Sequence, residues 1–178
     1  MMDITQVKNT VTGEVNYDVR SLSSLLQPYV EALLGASGIT EDQARICVLY
    51  ALVTYRKDLD FISILAIIGK TGTGKSTLLN QIRYLVREGK VAEASTYATT
   101  RDEMDACPTY IIDEADRVSE SLLLKRTDKR LAGVKRKDEK EKGWDDKRVS
   151  VFGATILARR TPFKDSAVRN RSIVIHTK

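Results

Sequence analysis

"FISILAII", residues 61–68, is an almost unbroken apolar and β-branched run, and it leads straight into "GKTGTGKSTLLNQI" at 69–82. A run without polar alternation suits a strand covered on both faces, as in a parallel sheet with helices on either side. The glycines permit a tight turn, and Leu78, Leu79, Ile82, Leu85 and Val86 then recur at helical spacing until "REGK" interrupts them. Strand, glycine turn and amphipathic helix in that order commit this stretch to an α/β crossover, which in a parallel sheet is right-handed.

The flanks extend the pattern. Residues 1–20 show no period and are expected to be a loosely docked tail. Leu22, Leu25, Leu26, Tyr29, Val30, Leu33 and Leu34 form a helical stripe that Pro28 should kink or start. Thr40 with Gln43 forms a capping-box pattern, predicting a second helix from Glu41 to about Arg56. Downstream, the expected elements are a weak strand at 95–98, a short helix at 101–106 and the strand "PTYIIDEAD" ending in acids. A helix at 118–132, a basic loop or hairpin at 134–148 and the strands "VSVFGATIL" and "SIVIH" follow. At 178 residues the chain suits one α/β domain, with a tail and helical segment at 1–58 and a core at 59–178.

Several chemistries lack material. Cys47 and Cys107 are far apart, with no spacing for zinc or a disulfide framework, and read as core thiols. His176 is the only histidine and falls at the end of an apolar run. No segment has the apolar length of a membrane helix and the N-terminus lacks the pattern of a signal peptide, so a cytoplasmic protein is expected.

Gly69, Gly74, Lys75 and Ser76 match G-x-x-x-x-G-K-[ST], the P-loop or Walker A pattern, between a strand and a helix. Successive N–H groups of residues 69–77, Gly69, Lys70, Thr71, Gly72, Thr73, Gly74, Lys75, Ser76 and Thr77, can turn inward around an anion beside the helix N-terminus. Lys75 can reach β- and γ-phosphates, and the Ser76 hydroxyl can ligate Mg²⁺. Asp113, after the apolar Tyr110–Ile112, has the Walker B arrangement for holding the same metal, and Glu114 beside it can polarise an attacking water. The interval from Lys75 to Asp113 houses a helix, a strand and a short helix, which suggests an additional strand between the Walker A and Walker B strands. That resembles the additional-strand, catalytic-glutamate division of three-layer P-loop NTPases. No N-K-x-D sequence points to a GTPase and no L-S-G-G-Q to a transporter ATPase.

"VFGATILARRTPFKDSAVRNRSIVI" resembles the distal part of an AAA+ ATPase core, most of all those of phage, plasmid and mobile-element primase-helicase proteins. The resemblance covers residues 61–176. It implies ATP as the nucleotide and a homo-oligomeric ring, a hexamer, in which Arg171 acts as an arginine finger on the neighbour's γ-phosphate with Arg169 as helper. It also implies a polar sensor at the end of the fourth strand, for which Arg159 is preferred to Thr155. The family carries a helical lid after the fifth strand that is missing before the sequence stops at Lys178, which leaves a fragment, a split protein or a minimal core open, with a primase or lid-bearing partner as one expectation.

Charge is unevenly divided. Residues 1–116 carry 11 Lys+Arg against 16 Asp+Glu, and residues 117–178 carry 18 against 8, so the C-terminal third suits a polyanion. In the family resembled, a basic loop or hairpin before the sensor strand enters the ring channel. Lys135, Arg136 and Lys137 occupy that interval as candidates for single-stranded or forked DNA, with Trp144 able to stack on a base or pin the hairpin. Two other readings stay open: an ATP-dependent assembly switch without motor activity, and a small-molecule kinase.

Overall fold

A computed structural model describes the backbone of residues 7–8, 15–16, 19–36, 38–93, 96–140 and 143–178, with side chains for 23–35, 38–92, 96–135 and 148–178. Its elements in chain order are β1 (Val7–Lys8), β2 (Val15–Asn16), α1 (Val19–Ala36), α2 (Glu41–Val53), β3 (Ile64–Ile68), α3 (Lys75–Arg83) and β4 (Gly89–Glu93). They continue with α4 (Tyr97–Met104), β5 (Thr109–Asp113), a 3-10 turn (Ala115–Arg117), α5 (Glu120–Arg126), β6 (Gly133–Lys140), β7 (Gly143–Ser150), β8 (Ala154–Arg159), α6 (Ser166–Asn170) and β9 (Ser172–His176).

Five strands form one parallel sheet in the order β4-β5-β8-β3-β9. The period of two along β3 sorts the core into two layers. Leu65 and Ile67 pack with Val30, Leu33, Cys47, Val48, Leu78 and Ile82 of α1, α2 and α3. Ile64, Ala66 and Ile68 pack with Met104, Leu122, Leu123, Phe163 and Val168 on the opposite face. The molecule is thus a helix–sheet–helix sandwich whose strand β3 is buried throughout, as its composition required. Packing does not break at residue 58, because α1 and α2 share their core with the sheet. No described helix is long and apolar enough to cross a membrane.

Local sequence explains several boundaries. Thr40 caps α2, accepting from the Gln43 N–H at 3.3 Å, while the Gln43 side chain accepts from the Thr40 N–H at 3.0 Å. Helix α1 starts at Val19 and carries Pro28 in its interior, so the proline does not set its start. Within 1–20, Val7–Lys8 pairs antiparallel with Val15–Asn16, and the rest of the expected tail up to Asp18 lies outside the described residues. Both cysteines are buried free thiols, and burial pushes Cys47 up to about 12.

Several expectations need correction. The helix expected at 118–132 is only α5 at 120–126, because the chain leaves the helix at Thr127 and turns toward β6. The strand expected at 95–98 is β4 at 89–93, and Thr96 instead caps α4, its hydroxyl accepting from the Thr99 N–H. "VSVFGATIL" is two strands, because the backbone turns at 151–153, where Val151 N–H donates to Ala132 O and Gly153 N–H to Arg126 O. The strand within the 75–113 interval, β4, lies at the sheet edge, and the one between β3 and β5 is β8, supplied from far downstream.

The segment at 134–148 is the antiparallel hairpin β6–β7. Its register places Lys135 opposite Arg148 and Arg136 opposite Lys147. Like charges directly opposed in a ladder are destabilising.

Candidate functional site

Parallel strands deliver their C-terminal ends to one edge of the sheet, and there β3, β5 and β8 open into a cleft of about 310 Å³. The loop after β3 forms one wall with Thr71, Gly72, Gly74, Lys75, Ser76 and Thr77. Asp113, Glu114 and Asp116 form the second, and Ala158, Arg159 and Arg160 the third.

The loop conformation needs its glycines. Gly72 and Gly74 have φ of 83° and 80°, and Gly74 stands immediately before α3, leaving the first N–H groups of that helix without helical partners. At Gly69 a Cβ would meet Thr177 Oγ1 at 2.1 Å, because Thr177 packs on the loop and shares a hydroxyl hydrogen bond of 2.6 Å with Thr73. Gly69 and Thr73 therefore brace the loop from behind rather than facing the cleft. Lys70 turns its carbonyl inward, where it accepts from Lys75 Nζ at 2.6 Å and from Thr73 Oγ1 at 2.9 Å. The ammonium is satisfied by its own loop, in a position from which an anion in the cleft can draw it.

Asp113 ends β5 half-buried and accepts the Glu114 N–H at 2.9 Å. Glu114 has left-handed angles, φ 52° and ψ 43°, unusual for a residue with a side chain, and this turn throws it out over the cleft. Its carboxylate forms an exposed ion pair of 3.5 Å with Arg160. Among the described residues no three His, Cys, Asp or Glu gather to hold a metal by themselves. The Ser76 hydroxyl and the Asp113 carboxylate share the cleft as hard oxygen donors, a set that fits Mg²⁺ arriving with phosphate ligands of its own. The glycine loop, Lys75 and the start of α3 fit the phosphates.

Arg159 and Thr155 lie at opposite ends of β8. Thr155 is paired with Ile64 where the strands begin, and its hydroxyl accepts from Arg126, so it does not face the cleft. Arg159 lines the cleft yet is only 3 % exposed, stacked on the Phe163 ring at 4.3 Å and donating to Glu120 at 3.3 Å. Its Nε is buried with no hydrogen-bond partner among the described residues.

Two acids that sequence reasoning missed organise the third wall. Asp116 accepts the N–H groups of Arg160 and Thr161 and the Thr161 hydroxyl, and Glu120 accepts the N–H groups of Lys164 and Asp165. Together they hold 160–165 against the segment that follows β5. Burial works against both carboxylates, but these hydrogen bonds and the nearby Arg159 charge outweigh it, and both pKa values are lowered. A lowered folded pKa contributes stability above the ordinary carboxylate range, near about 4, that is lost as pH falls through the folded value. Melting temperature is therefore expected to drop as pH is lowered from 6 to 3. Asp116→Ala should lose about 1–3 kcal/mol at pH 7 and flatten part of that fall. An Asp116→Ala melting profile parallel to wild type would show that the strap is held by something else.

The arginines before β9 sit at the other end of the sheet, since β9 runs parallel to β3. The Arg171 side chain is held inside the chain, donating to Thr127 Oγ1 at 3.2 Å and lying 5.6 Å from the centre of the Phe61 ring. Arg169 is exposed, with no ion pair among the described residues. Of the two, the intended helper is the one that stands free. Lys135 lies on β6, where its carbonyl accepts from Arg101 at 3.0 Å. Arg136 and Lys137 follow it on the same strand, and their side chains and that of Trp144 lie outside the described residues.

No protein-family model matches the sequence, and no curated protein is similar to it. Among solved structures, the chain is similar in fold to the apo C-terminal region of NrS-1, residues 305–718, with a TM-score of 0.53 at 13 % identity. The match covers 85 % of this chain and 37 % of that one, so the chain spans little more than a third of the structure it resembles.

Proposed function

We propose that the chain is the core of a Mg²⁺-dependent ATP-hydrolysing motor of the AAA+ type, acting on DNA as a helicase, translocase or helicase loader in replication of a phage or mobile element. The observation that carries this reading is the meeting of Lys75, Ser76, Asp113 and Glu114, from two separate stretches of sequence, in one cleft at the C-terminal edge of a parallel sheet with β8 between β3 and β5. Lys75 and the loop amides hold the β- and γ-phosphates, Ser76 and Asp113 hold Mg²⁺, and Glu114 orients the attacking water. When bound, the metal neutralises charge developing on the phosphates. Arg159, stacked on Phe163, keeps a fixed positive charge at the third wall. An arginine of α6 or its C-terminal cap, Arg169 or Arg171, completes a neighbour's cleft in a ring. Lys135, Arg136 and Lys137 of β6 supply a DNA contact through the phosphates.

The Glu114–Arg160 ion pair favours a second reading, an ATP-dependent assembly switch whose glutamate is engaged by an arginine instead of orienting an attacking water. The two separate in steady-state ATP hydrolysis over a series of protein concentrations, with and without single-stranded DNA. A motor with shared sites shows turnover per chain rising with both, whereas turnover indifferent to DNA and to concentration overturns the motor.

A further inference from the structure

At the end of the sheet where the strands begin, a hollow of about 300 Å³ is walled by Arg56 and Lys57 after α2, by Arg87 after α3 and by Phe152 at the hairpin root. Beside it lies a second hollow of about 200 Å³ whose walls include Tyr29, Tyr55 and Tyr84. The two belong to one surface. Thr54 Oγ1 accepts the Arg87 N–H at 2.9 Å, which pins the end of α2 to the turn after α3. The Ala106 N–H, on the wall of the larger hollow, donates to Ser150 O at 3.3 Å, so the surface ends against the last residue of β7 without including the hairpin strands.

The composition of this surface is unlike that of an apolar protein interface. Tyr84 is 83 % exposed, and Tyr29 and Tyr55 are about half exposed. Cations alternate with the rings in "TYRKD", 54–58, and in "RYLVREGK", 83–90. Arg56 is held by Asp58 at 2.6 Å and Arg87 by Glu88 at 3.3 Å, but Lys57 and Arg83 are exposed and form no ion pair among the described residues. The cores of protein interfaces are depleted of lysine and charge. Exposed rings set among free cations match single-stranded nucleic acid instead, because its unstacked bases present π faces at intervals along a chain of phosphates.

We propose that the turns after α2 and α3 form a contact surface for single-stranded DNA separate from the hairpin. Bases stack on Tyr55 and Tyr84, and phosphates are held at Lys57 and Arg83. This rests on the DNA-binding part of the proposed function and adds a second, aromatic stretch of track to it.

The test is fluorescence anisotropy of a labelled oligothymidylate against wild type, Tyr84→Ala, Lys57→Glu and the hairpin variant Lys135→Ala, from 50 to 200 mM salt. Both surface substitutions fall on exposed side chains, and thermal melts with binding of a fluorescent ATP analogue check that fold and cleft are kept. Tyr84→Ala is expected to weaken binding roughly fivefold or more with little change in salt slope, since stacking releases no counterions. Lys57→Glu should weaken binding and lower the slope of log affinity against log salt by about 1. If both surface variants bind like wild type while Lys135→Ala binds less well, this surface is overturned and DNA binding by the hairpin stands. Wild type that fails to bind the oligonucleotide overturns both together. Unchanged affinity with altered self-association on a sizing column assigns the tyrosines to a contact between copies and overturns the proposal.

Discussion

Arg126→Ala is expected to destabilise the fold by about 3–5 kcal/mol in urea melts, the largest stability effect of any single substitution foreseen here. The guanidinium has no exposure to solvent. Nη1 donates to the carbonyls of Met104 and Val151 at 3.3 and 2.5 Å, and Nη2 to those of Cys107 and Ala154 at 2.7 and 3.0 Å. Nε reaches Thr155 Oγ1 at 3.0 Å, and the Tyr110 ring centre lies 5.8 Å away. None of these partners is a carboxylate. Burial pulls the pKa down to about 10, so the group keeps its charge at neutral pH and dipoles alone solvate it. Those dipoles come from the end of α4, the turn before β5, the exit of the hairpin and the start of β8, four segments that one side chain ties together. Alanine strips several buried carbonyls of their donor at once and opens a cavity beneath the sheet. Arg126→Lys keeps the charge but has three donors without the planar fork, so it should fall between the two and serve where the alanine variant is too unstable to handle. Melts of the lysine variant indistinguishable from wild type would show that charge alone suffices.

The second large effect falls on turnover. Glu114→Gln is expected to leave binding of an ATP analogue within about threefold and to slow hydrolysis by about 10² or more, the range for loss of a positioned general base. The amide is close in size to the carboxylate and cannot take a proton, so kcat should fall with little change in KM. Single-turnover hydrolysis reads this without interference from product release. Phosphate transfer to a hydroxyl acceptor that survives Glu114→Gln would favour the kinase reading. Hydrolysis within fivefold of wild type would remove Glu114 from the mechanism.

What could be read from the residues alone follows how local each determinant is. Strand β3, its glycine turn and the cap of α2 are set by neighbours in sequence, and they stand within a few residues of where the sequence placed them, β3 beginning at Ile64 rather than Phe61. Strand β4 escaped because an edge strand has a neighbour on one side only and needs little apolar character. Its Val91 is exposed, and the apolar signal at that stretch is weak. The split of "VSVFGATIL" escaped for the opposite reason, since apolar residues continue across a break made by contacts with Ala132 and Arg126. Lys75, Ser76, Asp113 and Glu114 were legible as a site because each sits in a short motif. Asp116 and Glu120 were not, since their partners lie some 44 residues downstream. Arg126 sits in "KRTDKR", where every local cue reads as solvated surface and only tertiary packing distinguishes it.

The cleft and the α6 arginines occupy opposite ends of a sheet whose five-residue strands are about 16 Å long. On the proposed reading, no copy can finish its own site: each offers a cleft at one end and a charge at the other, and catalysis belongs to junctions rather than to chains. A closed circle of n copies has n junctions and an open row has n − 1. Activity per chain is then (n − 1)/n in an open row and reaches its full value on closure, so a row of two works at half the rate per chain of a ring of any size.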